Sequence, residues 1–363
     1  DYTVARVRLN MFERLYDAAI LIGLTLLGGL QAIDQALSHV TSHPLLQQLL
    51  LLGSVLLILS AAGLPFTLWR QFKLEARFGF NRMTLRLFST DILKGTIVSL
   101  LLGTPLAAAV LWLMASAGHL WWIWAWGLWT VFNLLLLFIF PTYIAPLFNK
   151  FTPLTDTTLI ERIQQLAKRC GFALNGLFVM DGSKRSAHGN AYFTGFGQSR
   201  RIVFFDTLLS RLNADEIEAV LAHELGHFAK RHIIKRIGFS FAAAFVFFAL
   251  LGWLAQQPWF YEGLGVLPRL DGANDAMALL LFFLVIPVFT FLLTPIASWY
   301  SRRHEFEADR YAATQSSAEQ LVSALVKLYN DNAATLTPDP VHSAFYDSHP
   351  PAAVRIRHLM EAA

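Results

Sequence analysis

Apolar side chains fill nearly every position of six stretches, residues 15–33, 45–69, 95–115, 121–140, 237–256 and 276–299. A helix rises about 1.5 Å per residue and the hydrocarbon core of a bilayer is about 30 Å thick, so about 20 such residues suffice to cross it. A helix apolar on every side is a span rather than a surface helix. The pattern changes between residues 141 and 236. Residues 157–169 place Leu159, Ile160, Ile163 and Leu166 at helical spacing, and 176–180 and 201–205 are short β-type runs. Residues 190–196, rich in Tyr, Phe and Thr, are a third predicted strand, at a sheet edge. The chain therefore divides into N-terminal spans (1–140), a soluble α+β insert (141–236), further spans (237–300) and a soluble C-terminal segment (301–363). The predicted fold class is a mostly α, multi-span membrane protein with about six spans. No repeat or low-complexity tract is visible.

Composition agrees with the pattern. The 363 residues are 55% hydrophobic and 15% charged, with a mean hydropathy of +0.47; soluble domains carry about a quarter charged residues. Lys and Arg alternate between connections. Arg6, Arg8 and Arg14 precede the first span, and none lies in 34–44. Arg70, Lys73, Arg77, Arg82, Arg86 and Lys94 follow the second, and none lies near His119. The insert is rich in both, and 258–275 has only Arg269 against Glu262, Asp271 and Asp275. Arg302, Arg303 and Arg310 follow the last span. Positive charge collects on the cytoplasmic side, which places the N-terminus, the insert and the C-terminus there. The net charge of +4 is thereby explained without nucleic acid, for which no aromatic-basic motif is present. A single cysteine, Cys170, excludes a disulfide framework and a multi-thiolate metal site. Trp121, Trp122, Trp124, Trp126 and Trp129 crowd one end of the fourth span, as interfacial anchors do. The chain opens on Asp1, and 1–14 lacks the design of a signal peptide.

Within this apolar chain "VLAHELGHFAKRHIIK" (220–235) sets His223 and His227 four apart, just before the fifth span. "NADE" (213–216) is a helix start, with Asn213 as cap and Glu216 completing a capping box. On the helix that follows, the two imidazoles share a face, about 6 Å apart along the axis, and can grip one metal ion. The H-E-x-x-H pattern is the zinc metalloprotease signature. Imidazole is a zinc donor, zinc brings a bound water to a pKa of about 7, and a carboxylate beside that water accepts its proton. Glu224 is thus the candidate general base. A catalytic zinc takes three protein ligands. Glu305 and Asp309 in "SRRHEFEADRYAA" (301–313) again share a face, so Glu305 can complete the set and Asp309 can hydrogen-bond a ligand. The alternative is a solvated helix whose acids pair with Arg302, Arg303 and Arg310. His304 and Glu307 point to other faces and are expected to be ordinary surface residues.

These residues resemble the type I CaaX prenyl-protease family of integral-membrane zinc metalloendopeptidases. Besides H-E-x-x-H, "EARFGFN" (75–81), "YIAPLFNKF" (143–151), "GSKRSAHGNAYFTGF" (182–196) and "RIVFFDTLL" (201–209) resemble family blocks in the family's order. "SRRHEFEAD" (301–309) and "SHPPAAVRIRHL" (348–359) follow, so the likeness covers nearly the whole chain. The resemblance implies a helical cage around a water-filled chamber and one zinc ion per chain on His223, His227 and Glu305. It implies that Glu224 activates the water and that Asp309 supports a ligand. His349, with Arg355 close by, would steady the oxyanion; Asn190, Ala191 and Tyr192 would hold substrate backbone. The family has seven spans, so one span is expected ahead of Asp1. The short 258–275 connection points to a bacterial member, in an inner membrane with the catalytic part facing the cytoplasm; a eukaryotic member would sit in the endoplasmic reticulum.

The implied activity is hydrolysis of peptide bonds near the C-terminus of prenylated CaaX proteins, or clearance of membrane proteins. Partners are a peptide or protein substrate, lipidated or not, and membrane lipids, with no nucleic acid. The rivals are a transporter, which polar span residues such as Asn133 permit, and a metal-bound scaffold without catalysis. The retained Glu224 argues against the scaffold.

Overall fold

A computed structural model of the chain describes residues 1–194, 201–269, 273–333, 335 and 337–362. The first part is helical: α1 (Tyr2–Leu24), α2 (Gly29–Ser38), α3 (Pro44–Trp69), α4 (Leu85–Ser116), α5 (Trp121–Ile139) and α6 (Ala145–Phe148). Then come β1 (Phe151–Pro153), α7 (Thr157–Arg169), β2 (Gly176–Met180), β3 (Ala191–Thr194), β4 (Arg201–Phe205), α8 (Asp206–Leu209) and α9 (Ala214–Ala229). The remainder is α10 (His232–Leu254), α11 (Pro258–Glu262), α12 (Asp275–Thr290), α13 (Thr294–Gln315), α14 (Ala318–Asp331), α15 (Pro340–Tyr346) and α16 (Ala352–Ala362).

Among the described residues five helical stretches are long and apolar enough to cross a membrane: Pro44–Glu75, Leu85–Ser116, Gly118–Phe148, His232–Leu254 and Asp275–Gln315. The straight span expected over 15–33 is corrected. Here α1 and α2 meet at a 50° bend and qualify only as a pair. Gly28 takes the left-handed conformation (φ 78°), and a Cβ on Gly29 would lie 2.6 Å from the Gly23 carbonyl oxygen, so the glycine pair permits a tight break that a continuous apolar run conceals. Only 11% of the apolar windows of the first three stretches is buried inside the protein, against 39% for Asp275–Gln315. The last stretch is therefore the one most enclosed by its neighbours. It also outruns its apolar run, since α13 continues to Gln315 and carries Glu305 and Asp309 on the helix that leaves the membrane.

Polar groups in these helices mostly find local partners. Asn133 Nδ2 donates to the Trp129 carbonyl on its own helix (2.7 Å). The tryptophans divide. Trp124 is exposed, as an anchor should be, whereas Trp121 is buried and Trp126 Nε1 donates to the Phe241 carbonyl (3.0 Å), binding α5 to α10.

The described residues form two apolar cores. One lies among the spans and includes Leu30, Leu51, Leu111, Leu251 and Leu281. The other, with Ile163, Ile202, Phe204, Leu221, Leu225 and Leu321, joins α7, the sheet, α9 and α14. The sheet order is β1-β2-β4-β3, with β2 parallel to β4 and both outer strands antiparallel to their neighbours. The predicted edge strand is thus β3, over Ala191–Thr194; Gly195 and Phe196 lie outside the described residues, as does Asp271. The opposite edge, β1, was not legible in the sequence. It is three residues long and ends in Pro153, and proline is confined to edge strands because it cannot donate to an inner ladder.

Helix α9 starts as predicted. Asn213 Oδ1 accepts from the Glu216 amide and Glu216 Oε2 accepts from the Asn213 amide, both at 2.9 Å. The same buried carboxylate accepts from Ser323 Oγ and Lys327 Nζ at 2.7 Å, which locks α9 to α14. Burial alone would push the Glu216 carboxyl up, but these donors hold it below its usual range.

Candidate active site

Two helices build the site, and a glycine lets them meet. Gly226 lies between the two motif histidines, and a Cβ on it would fall 2.9 Å from the Ala308 Cα of α13. Any larger residue would force the helices apart. Gly226 and Ala308 are both buried, so the crossing point sits directly under His223, His227, Glu305 and Asp309.

At that crossing His223 Nε2 is 3.6 Å from Glu305 Oε2, and His227 Nε2 is 3.3 Å from Glu305 Oε1. The two histidine Nε2 atoms are 3.3 Å apart. One ligand-type atom from each of the three residues lies within 4.8 Å of the others. Glu305 is buried, and its Oε2 has no hydrogen-bond partner among the described residues. A buried carboxylate oxygen without a donor is costly unless a cation completes it. The donor set, two imidazoles and one carboxylate, could hold a metal ion and is one that catalytic zinc centres use.

The tautomers follow from the neighbours. A carboxylate only accepts, so His223 Nδ1 donates to Asp309 Oδ1 (2.8 Å), and Nε2, which faces Glu305, is the nitrogen that would offer a lone pair to a metal once its own proton is displaced. His227 is set by a longer chain. His232 Nε2 lies 3.0 Å from Glu307 Oε2 and must donate to it, which leaves the neutral ring's Nδ1 as an acceptor. The His227 Nδ1 lies 3.0 Å from that atom and donates, so its Nε2 also presents a lone pair to the cluster. His304 stacks on His232 with ring centroids 4.0 Å apart, and both are buried. The expectation that His304 and Glu307 are ordinary surface residues is therefore wrong. They sit on the α13 face that packs against the start of α10, and helical spacing within α13 cannot reveal a partner 75 residues away.

Arg355 is also buried. It donates from Nε to Asp309 Oδ2 (2.9 Å) and from Nη2 to Asp309 Oδ1 (2.5 Å), while Nη1 lies 3.7 Å from Glu305 Oε2. Burial would lower the pKa of this guanidinium, but Asp309 and Glu305 raise it overall. Asp309 is thus held from one side by an arginine and itself holds His223. In the absence of metal, burial works against a charge on His223, yet hydrogen bonds to Asp309 and Glu305 prevail and its pKa is pushed up to about 9.

The remaining predicted residues surround this cluster unevenly. Glu224 is half-buried beside His223 and makes no hydrogen bond or ion pair with the described residues. His349 is exposed, with Nε2 3.6 Å from Glu305 Oε1 and Nδ1 3.0 Å from Ser348 Oγ. Its loop is fixed by Tyr329, whose hydroxyl donates to the Pro350 carbonyl (3.2 Å). Asn190, Ala191 and Tyr192 make no hydrogen bond to the cluster. The Asn190 side chain accepts from the Ala191 amide (2.8 Å), its carbonyl accepts from the Phe205 amide (2.9 Å), and Tyr192 pairs with Val203 in the sheet.

Residues 1–150 match the family described as CAAX prenyl protease N-terminal, five membrane helices, and residues 153–363 match Peptidase family M48. A CAAX prenyl protease 1 homolog of Oryza sativa subsp. japonica is 38% identical, over 88% of this chain and 75% of its own. CAAX prenyl protease 1 of Saccharomyces cerevisiae is 36% identical, over 97% of this chain and 79% of its own. The crystal structure of S. mikatae Ste24p superposes with a TM-score of 0.92 at 34% identity, covering 99% of this chain and 87% of that one. These relatives are eukaryotic and lend nothing to the bacterial origin expected from the short 258–275 connection. Metal-ligand geometry, membrane helices and likeness along both halves agree: the chain belongs to peptidase family M48, as an integral-membrane metalloendopeptidase of the CAAX prenyl protease type.

Proposed function

We propose that this chain holds one zinc ion between His223, His227 and Glu305 and cuts peptide bonds near the C-terminus of prenylated CaaX-type proteins. One observation carries the reading: three ligand-type atoms from two helices converge on a buried carboxylate that has an oxygen without a partner. Zinc bound there would supply a water acidified to a pKa of about 7 and a polarised scissile carbonyl. Glu224, uncommitted to any other described group, takes the proton of the attacking water and returns it to the leaving amine. His349, exposed beside Glu305, donates to the oxygen that becomes negative. Arg355 was paired with His349 in that task by the resemblance. With Nε and Nη2 committed to Asp309, it is better assigned to holding Asp309, and through it His223. Asn190, Ala191 and Tyr192 border the edge of the sheet, where an extended substrate adds as a further strand.

Relatives named CAAX prenyl proteases supply the substrate class. Alternation of Lys and Arg between connections supports a catalytic part on the cytoplasmic side. The purified protein is expected to carry about one zinc per chain and to cut a farnesylated CaaX peptide faster than the unmodified peptide. In sealed vesicles it should do so only when the cytoplasmic face is outward. Equal rates on both peptides, with preference for a misfolded membrane protein, would transfer the substrate class to quality control. Cleavage from the other face would invert the topology.

Zinc uptake should depend on pH through His223. A pKa of about 9 in the metal-free site, above the ordinary 6.5, means that below pH 9 the metal displaces a proton. Apparent affinity should rise about tenfold per pH unit between about pH 7 and 9 and level off above. The same shift stabilises the metal-free fold fully below about pH 6.5, and that contribution is lost as pH rises through about 9. Competition with a chelator at several pH values measures the slope, and a flat response would remove His223 from the ligand set.

A further inference from the structure

Apart from the catalytic cluster, a groove of about 550 Å³ runs between α13 and α16. Its α13 wall is one helical stripe, Trp299, Arg303, Phe306 and Arg310, at spacings of three and four. Its α16 wall is a second stripe, Val354, Arg357, His358 and Glu361. Glu305 and Asp309 leave α13 on a different face, towards α9. The groove therefore lies beside the catalytic residues without sharing them.

Its position relative to the bilayer can be read from the chain. Residues 276–299 contain no Asp, Glu, Lys or Arg, and the run ends on Trp299, which is 63% exposed. An exposed Trp at the end of a span sits at headgroup level. The cations begin immediately above it. Arg302 is committed, donating to the Ser343 and Asp347 carbonyls. Arg303 reaches only Glu307, on its own helix, at 3.3 Å, and its side chain is 65% exposed. Arg310 and Arg357 are exposed, and neither has a hydrogen-bond or ion-pair partner among the described residues. Glu361 is the one acidic side chain in the lining, so cations outnumber it.

Exposed Trp299 at the membrane end of the α13 wall, with Arg303, Phe306 and Arg310 following it towards the aqueous end and Arg310 and Arg357 unpaired among the described residues, is complementary to one kind of molecule. We propose that this groove binds an anionic phospholipid of the adjoining leaflet. Its phosphate and acidic headgroup lie among Arg303, Arg310 and Arg357, with Phe306 between the arginines of α13, and an acyl chain descends along Trp299 into the leaflet. Arginine suits this task because its planar fork meets phosphate oxygens in pairs. From Trp299 to Arg310 the helix rises about 16 Å, more than the depth of a headgroup layer. Side chains on a helix lean towards its N-terminus, however, which for α13 is the membrane end, so Arg303 and Arg310 lean back towards the lipid. The aromatic floor is provided by Phe306 and His358, whose rings pack 4.8 Å apart.

The test uses the full chain in mild detergent, with bound lipid counted by native mass spectrometry. Phosphatidylserine should be retained over phosphatidylcholine. R310Q/R357Q should weaken phosphatidylserine retention roughly 30-fold, at about fivefold per arginine, with melting temperature and metal content unchanged. A phosphatidylserine with brominated chains should quench the wild type more than Trp299→Phe. The proposal is overturned by equal retention of the two lipids, by full retention in the double variant, or by equal quenching in Trp299→Phe. It is likewise overturned if glycerophosphoserine, the headgroup without chains, binds as tightly, or if a soluble acidic peptide displaces the lipid.

Discussion

Glu224→Gln is expected to keep its metal, at about one ion per chain, and to lose between about 10² and 10⁴ of its turnover, the contribution of a positioned general base. That loss corresponds to roughly 3–5 kcal/mol in the barrier. The substitution is nearly isosteric, so packing is preserved. It leaves the His223 to Asp309 and His227 to His232 contacts intact, because Glu224 takes no part in either. What it removes is a carboxylate beside His223 that is uncommitted among the described residues. Single-turnover cleavage of a peptide with parallel metal analysis separates the two quantities. Turnover unchanged at full metal content would take Glu224 out of the mechanism, and turnover lost together with metal would make it a ligand instead.

Glu305→Gln should behave oppositely. A neutral amide is a poor replacement for a carboxylate ligand, so zinc is expected to fall from about one ion to near none per chain, with activity falling alongside. Among the described residues Glu305 is the only anion that faces both motif histidines, and it also lies 3.6 Å from His349 and 3.7 Å from Arg355. Its removal thus leaves a surplus of positive charge in a buried space, and a lower melting temperature of the metal-free protein should accompany the loss. Metal analysis after dialysis against a weak chelator gives the answer. Retention of zinc by this variant would mean that the third ligand is elsewhere and that Glu305 serves only to orient the histidines.

The parts of the site legible in the chain are those fixed by local periodicity. Spacing of four residues on a helix put His223 with His227, and Glu305 with Asp309, before any coordinates. The Asn213 capping box and the edge position of β3 were readable for the same reason, since both depend on short-range chemistry. His232, Glu307 and His304 were not readable as parts of the site. His232 lies five residues beyond His227, across a turn where Arg231 adopts a left-handed conformation (φ 56°) that reorients the chain into α10. A basic, non-glycine residue gives no sequence sign of such a turn. The bend at 25–28 was hidden by an apolar run that continues through it.

By itself the sequence determined that this chain is a membrane protein with a soluble catalytic portion, because apolar run length and the H-E-x-x-H spacing are properties of consecutive residues. Only the tertiary structure decided that Glu305 meets His223 and His227, and which ring nitrogens are free to bind a metal. The reason is steric and electrostatic at once. Gly226 permits α9 and α13 to approach at Ala308, and only at that separation can Asp309 and the His232–Glu307 pair accept hydrogen bonds from the Nδ1–H groups and turn both Nε2 atoms towards one carboxylate. Contacts between residues 75 to 132 positions apart leave no trace in the pattern of either helix alone.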